Sequence, residues 1–254
     1  MAFVNGTWLN REERAERIRL ITERARKLKA LYDRGKATEY HIDQLLADKR
    51  ELERLKRIHR AEKDLLYFAW EYFSETRNPG NTGNWEGFDI QSLDESPRFH
   101  HEICAIMDEV SHVRRNDKVA VAAPRGHAKS SYLSKAYPLR EVVYRLRKYI
   151  IIISETPKVA TANMKWISDQ LKYNKKLRDD FGPLLSPKDQ ANIVDNNEAF
   201  IAWLPGEDGH RHQLALVEAA STGQALRGRN WNGQRPDLII LDDLEDARAG
   251  GNAS

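Results

Sequence analysis

Apolar residues near the amino terminus recur at three- and four-residue spacing. Ile18, Ile21, Ala25, Leu28 and Leu31 share one helical face. Asn10 followed by Glu13 fits a capping box at the start of this helix, and Gly35 fits its end. Ile42, Leu45, Leu52, Leu55 and Ile58 repeat the pattern, so residues 10–63 read as a helical hairpin. In residues 64–75 (DLLYFAWEYFSE), Leu66, Trp70 and Phe73 fall on one face, which predicts a core helix rather than a base-stacking surface. Residues 77–98, rich in Gly, Asn, Pro and Ser, read as a loop or linker and mark the candidate domain boundary.

From residue 99 onward, short apolar runs alternate with helical patterns. Strands are expected at 118–123 (KVAVAA), 149–154 (YIIIIS), in short runs within 193–204, at 214–219 and at 238–241 (LIIL). Helices are expected over 130–147, broken near Pro138, and over 158–174. This alternation implies an α/β fold with a largely parallel sheet covered on both faces. The expected organisation is a helical hairpin or arm at 1–63, an aromatic helix and linker at 64–98, and an α/β domain at 99–254.

Composition narrows the classes. The chain has 254 residues, 41% hydrophobic and 31% charged, enough for a sizeable core in one or two domains. Its formal charge of +3 is uneven: residues 1–60 hold 16 Lys/Arg against 10 Asp/Glu, and the rest holds 25 against 28. A basic amino-terminal quarter suits a nucleic acid or an acidic partner protein, or a solvated helical arm. The single cysteine, Cys104, excludes an intramolecular disulfide framework and reads as inert core. The start has no secretory apolar region and no apolar run is long enough for a membrane, which predicts a soluble, cytoplasmic protein. The stretch Gly209-His210-Arg211-His212 reads as a solvated loop rather than a metal site.

The most informative residues are Ala123-Pro124-Arg125-Gly126-His127-Ala128-Lys129-Ser130. They keep the spacing of the phosphate-binding pattern G-x-x-x-x-G-K-[S/T], with Ala123 and Ala128 in place of both glycines. Pro124, Arg125, Gly126, His127, Ala128, Lys129, Ser130 and Ser131 form the candidate nucleotide-binding loop. Backbone N–H groups at a helix start would face phosphate oxygens, Lys129 would neutralise the β- and γ-phosphates, and Ser130 would hold Mg²⁺. Arg125, four residues before Lys129, could reach the γ-phosphate or simply pair with a nearby acid.

A second half of such a site lies at Leu238-Ile239-Ile240-Leu241-Asp242-Asp243-Leu244-Glu245-Asp246. An acid ending a buried strand is costly unless it has a partner. Asp242 is the expected Mg²⁺ ligand, and Asp243 or Glu245 the carboxylate that polarises an attacking water. Together the two motifs define the fold class as a P-loop NTPase binding ATP and Mg²⁺.

APRGHAKSS and RPDLIILDDLED, with YIIIISET, LRDDFG and the Ser221–Arg229 stretch STGQALRGR between them, resemble the ATPase portion of phage terminase large subunits. These are the motors that pump DNA into viral procapsids. Phe99-His100-His101-Glu102-Ile103 falls where that family approaches the adenine. The resemblance covers roughly residues 64–246. It implies ATP hydrolysis, double-stranded DNA, a small terminase subunit and a portal protein as partners, a homo-oligomeric ring on the procapsid, and a location in the host cytoplasm. It also implies trans or DNA contacts for Arg227 and Arg229, which could equally pair with local acids such as Glu218. The family's coupling motif and nuclease domain are not found after Asp246, so nuclease activity is not expected and the chain reads as a shortened, split or decayed form. The alternatives are another P-loop translocase or helicase fragment, or a non-catalytic nucleotide- or DNA-binding remnant.

Overall fold

The computed structural model describes residues 1–81, 88, 90–114, 116–206, 209–224 and 227–244. The chain opens with two short antiparallel strands, β1 (Ala2–Val4) and β2 (Thr7–Leu9), joined by Asn5-Gly6. Both turn residues have positive φ, 48° and 85°, as a two-residue primed turn requires. This hairpin is absent from the expected elements. It anchors the amino terminus: the Trp8 indole donates to the Phe181 carbonyl at 2.9 Å. A Cβ at Gly182 would lie 2.8 Å from the Trp8 ring, so glycine is required there.

Helices α1 (Arg11–Asp33) and α2 (Glu39–Ala61) form the expected hairpin. The Asn10 side chain accepts from the backbone of Glu12 and Glu13, and Glu13 returns the bond to the Asn10 N–H at 2.7 Å. Helix α3 (Leu65–Phe73) is buried at every residue except the half-buried Trp70. It joins Leu55 and Ile58 of α2 and the Ile150 and Ile152 side of the sheet in one apolar cluster. Helix α4 (Arg98–His112) follows, then the candidate phosphate loop.

Beyond that loop come a π-helix (Ser131–Ala136) and α5 (Tyr137–Val143), with Pro138 in the first turn of α5, where its missing N–H costs nothing. Next are β3 (Tyr149–Ser154), α6 (Pro157–Tyr173), α7 (Lys175–Phe181), β4 (Ala199–Pro205), β5 (Arg211–Ser221) and β6 (Leu238–Asp242). The fold is mixed α/β with a mostly parallel four-stranded sheet in the order β4-β5-β3-β6. The central strand β3 runs parallel to both neighbours, with Ile152 opposite Ala219 and Ile240, while β4 joins antiparallel to β5.

Two expectations need correction. Residues 118–123 form no strand: they lie outside the sheet, and Val119 is 40% exposed. A strand needs a hydrogen-bonded partner, and among the described residues the sheet ends at β6. The sheet is also not fully covered. Its second face packs Tyr149, Ile151, Ile153, Ile201, Leu216 and Ala220 beneath Ile193, Val194 and Trp231. Next to this cluster on β6, Ile239 and Leu241 stay 51% and 60% exposed. The His210 stretch leads into β5, whose first three residues, Arg211, His212 and Gln213, are exposed.

Much of the hairpin's basic charge is used internally. Arg14 is fully buried against Glu62, Arg17 meets Glu51 at 2.9 Å, and Arg24 meets Asp48 at 2.7 Å. Arg54 and Arg57 of α2 converge on Asp180 of α7 at 2.8 and 2.9 Å, and the Tyr72 hydroxyl of α3 donates to the same carboxylate at 2.8 Å. The base of the hairpin is therefore tied to the α/β core by charge as well as by apolar packing. No helix among the described residues is long and apolar enough to cross a membrane.

Candidate functional site

The parallel strands β3, β5 and β6 end side by side, with Ser154 in register with Ser221 and with Asp242. The crevice beyond the carboxyl ends of such strands is where open α/β sheets bind ligands. Local bonds knit the loops there: Thr222 N–H donates to the Ser154 carbonyl at 3.2 Å, and Glu155 N–H to the Asp243 carbonyl at 3.0 Å.

The candidate phosphate loop arrives at this edge from α4. His100 of α4 bonds through Nε2 to the His127 carbonyl at 3.2 Å and lies against Tyr132, ring centroids 4.7 Å apart. Pro124, Arg125, Gly126 and His127 are exposed, while Ala128, Lys129, Ser130 and Ser131 are half-buried. Gly126 and Ala128 both have positive φ, 81° and 52°. Glycine meets that demand freely; alanine meets it against steric cost. Lys129 Nζ folds back over the loop and donates to the Ala123 carbonyl at 2.8 Å. The chain then enters the π-helix, a wide turn that recurs at functional sites.

The two halves of the motif meet across 112 positions of sequence: Ser130 Oγ donates to Asp242 Oδ1 at 3.0 Å. Two further donors, unforeseen from sequence, reach the other oxygen. Ser134 Oγ lies 2.8 Å and Asn163 Nδ2 3.3 Å from Asp242 Oδ2. Ser134 sits four residues after Ser130, a spacing that returns it to the same side of a helix. Asn163 interrupts the buried apolar stripe Ala160, Met164, Ile167 and Leu171 of α6, which was its readable signal.

The remaining candidates are spread around this centre. Asp243 is exposed just past β6, with φ at 47°. Arg125 is exposed and makes no ion pair among the described residues. Arg227 is exposed, whereas Arg229 pairs with Glu218 at 3.1 Å and reaches Gln224 at 3.4 Å. Glu218 also accepts from the Tyr149 hydroxyl at 2.5 Å, and burial with this carboxylate pushes the Tyr149 phenol up to about 12. Glu245 lies outside the described residues. A separate cavity of about 420 Å³ between α2, α3 and α4, lined by Arg60, Asp64, Trp70, Leu93 and His101, shares none of these residues.

The donor set fits Mg²⁺ in one specific way. No three His, Cys, Asp or Glu side chains converge as a metal site among the described residues. One hydroxyl and one carboxylate, both hard oxygen donors, are in contact, which suits an ion that takes its other ligands from phosphate and water. No protein-family model, curated protein or solved structure matches the chain.

Proposed function

We propose that this chain is the ATP-binding and ATP-hydrolysing portion of a viral DNA-packaging terminase large subunit, a P-loop NTPase. The supporting observation is the Ser130–Asp242 contact at the carboxyl edge of the parallel strands. Ser130 and Asp242 are the two side chains that a Mg²⁺-nucleotide site of this kind needs within reach of each other. Their meeting supports reading both motifs as one site.

In this reading the backbone of residues 124–131 and the Lys129 ammonium bind the β- and γ-phosphates, the ammonium giving up the Ala123 carbonyl to do so. Ser130 and Asp242 would hold the Mg²⁺, which would supply electrostatic neutralisation of the phosphates. Asp243 or Glu245 orients the attacking water. Arg125 neutralises charge on the departing phosphoryl group, a role that contributes about 10³–10⁵ in rate where an arginine performs it. Double-stranded DNA, a small terminase subunit, a portal protein and further copies in a ring are the partners of this reading, and the host cytoplasm its location.

The test is ATP turnover and binding by the purified chain with Mg²⁺, with and without double-stranded DNA, beside Lys129→Ala. The expected result is nucleotide binding with Mg²⁺-dependent turnover, both abolished by Lys129→Ala. Binding without turnover assigns the chain to the non-catalytic alternative. Nucleotide binding that survives Lys129→Ala unchanged, or no binding at all, overturns the assignment.

A further inference from the structure

Asp242 receives three donors from three places: Ser130 at the end of the phosphate loop, Ser134 in the π-helix and Asn163 in α6. They divide by oxygen. Ser130 reaches Oδ1; Ser134 and Asn163 both reach Oδ2. They also divide by environment. Ser130 is half-buried, whereas Ser134 is 1% and Asn163 6% exposed. A hydroxyl or amide buried this deeply costs free energy unless it is hydrogen-bonded. Asn163, set among apolar neighbours on α6, finds its partner in this carboxylate.

We infer that Ser134 and Asn163 are positioning residues that clamp Oδ2 of Asp242, so that Oδ1 stays aimed at a Mg²⁺-nucleotide when Ser130 turns its oxygen to the metal. This rests on the nucleotide-binding reading above. When Ser130 becomes a metal ligand, its lone pair faces the ion. Its O–H still donates to Oδ1, so that bond shifts with the metal ligand. The two buried donors remain and hold the carboxylate rotamer. Groups of this kind, which hold a metal ligand without touching the metal, typically change metal affinity about 10–100-fold when removed. The clamp also links α6, through Asn163, to the state of the phosphate loop.

The experiment titrates the 254-residue chain with a fluorescent ATP analogue, once in EDTA and once across a Mg²⁺ series, for wild type, Ser134→Ala, Ser134→Thr and Asn163→Leu. Thermal melts accompany each variant. In Ser134→Ala and Asn163→Leu, the Mg²⁺ concentration for half-maximal enhancement of binding should rise about 10–100-fold. Affinity in EDTA should stay at the wild-type value. Ser134→Thr, which keeps the hydroxyl, should match wild type. Ser134→Ala removes a single oxygen, so it remains informative if Asn163→Leu folds poorly. An unchanged Mg²⁺ requirement overturns the inference and leaves the nucleotide site standing. So does an equal loss with and without Mg²⁺, which marks a general structural role. Wild-type binding that ignores Mg²⁺ also overturns it. A wild-type chain that binds no nucleotide removes the nucleotide-binding reading and this inference with it.

Discussion

Replacing Asp180 with alanine should loosen the attachment of the helical hairpin more than any single apolar truncation at its surface. The carboxylate is 1% exposed and accepts from Arg54, Arg57 and Tyr72. Removing one partner of a buried ion pair costs about 3–5 kcal/mol, because the other charge is left uncompensated. Three features pull the value to the lower end. Arg54 and Arg57 are 27% and 23% exposed and can rehydrate. Arg54 keeps its bond to the Phe3 carbonyl at 2.6 Å, and Arg57 keeps Glu71 at 3.7 Å. The fully buried Tyr72 hydroxyl has no such relief. A loss of about 3 kcal/mol, at about 2–4 °C per kcal/mol for a chain of this size, lowers the melting temperature by about 6–12 °C. Circular dichroism melts would read it, with the exposed neighbour variant Asp179→Ala as control, expected within about 2 °C of wild type. Adding Tyr72→Phe to Asp180→Ala should recover part of the loss by removing the orphaned hydroxyl. An Asp180→Ala protein melting within 2 °C of wild type (about 1 kcal/mol or less) would refute the ion-pair account.

Other tests address single residues. Ala128→Gly should raise stability by up to about 1 kcal/mol, since glycine relieves a positive φ at 52° that costs alanine more than glycine's lost entropy. Ala123→Gly, where φ is not positive, should lower it; thermal melts showing the reverse order would contradict the backbone assignment. His59 has its pKa lowered by burial and then by Arg14. The unfolded chain therefore takes up this proton first. Its contribution to stability is full above about 6.5 and is lost as pH falls from there through the lower folded value. Melts at pH 7.5 and 5.5 should show a smaller acid loss in His59→Gln than in wild type. Burial also pushes the Cys104 thiol up, so a thiol reagent at pH 8 should label the native chain slowly and the urea-unfolded chain at one equivalent.

What the sequence revealed followed the range of each interaction. The Asn10–Glu13 cap, α3, the buried strand β3 and the half-exposed strand β6 were legible, because each is set by residues within a few positions. Asn5-Gly6 was a readable turn signal, but strands of three residues are too short for periodicity to announce. Residues 118–123 carry a strand's composition and still form none, since pairing is decided by another segment. The charge of the hairpin told nothing of its use: Arg54 and Arg57 find Asp180 more than 120 positions away. Ser130 and Asp242, which touch, were each singled out by a separate motif, whereas Asn163, 79 positions from its acid, showed only as a polar break in the apolar stripe of α6.

The central strand β3 lies between two strands that follow it in the chain, one beginning at Arg211 and the other at Leu238. During synthesis the candidate phosphate loop leaves the ribosome long before Asp242 exists, and the parallel pairing that brings them together is of the slow, non-local kind. The Ser130–Asp242 contact is thus a late product of folding, made only when β6 has docked. Any ligand held there is bound only once β6 has joined β3. Protection from proteolysis by that ligand would report the docking of β6 rather than the state of one loop.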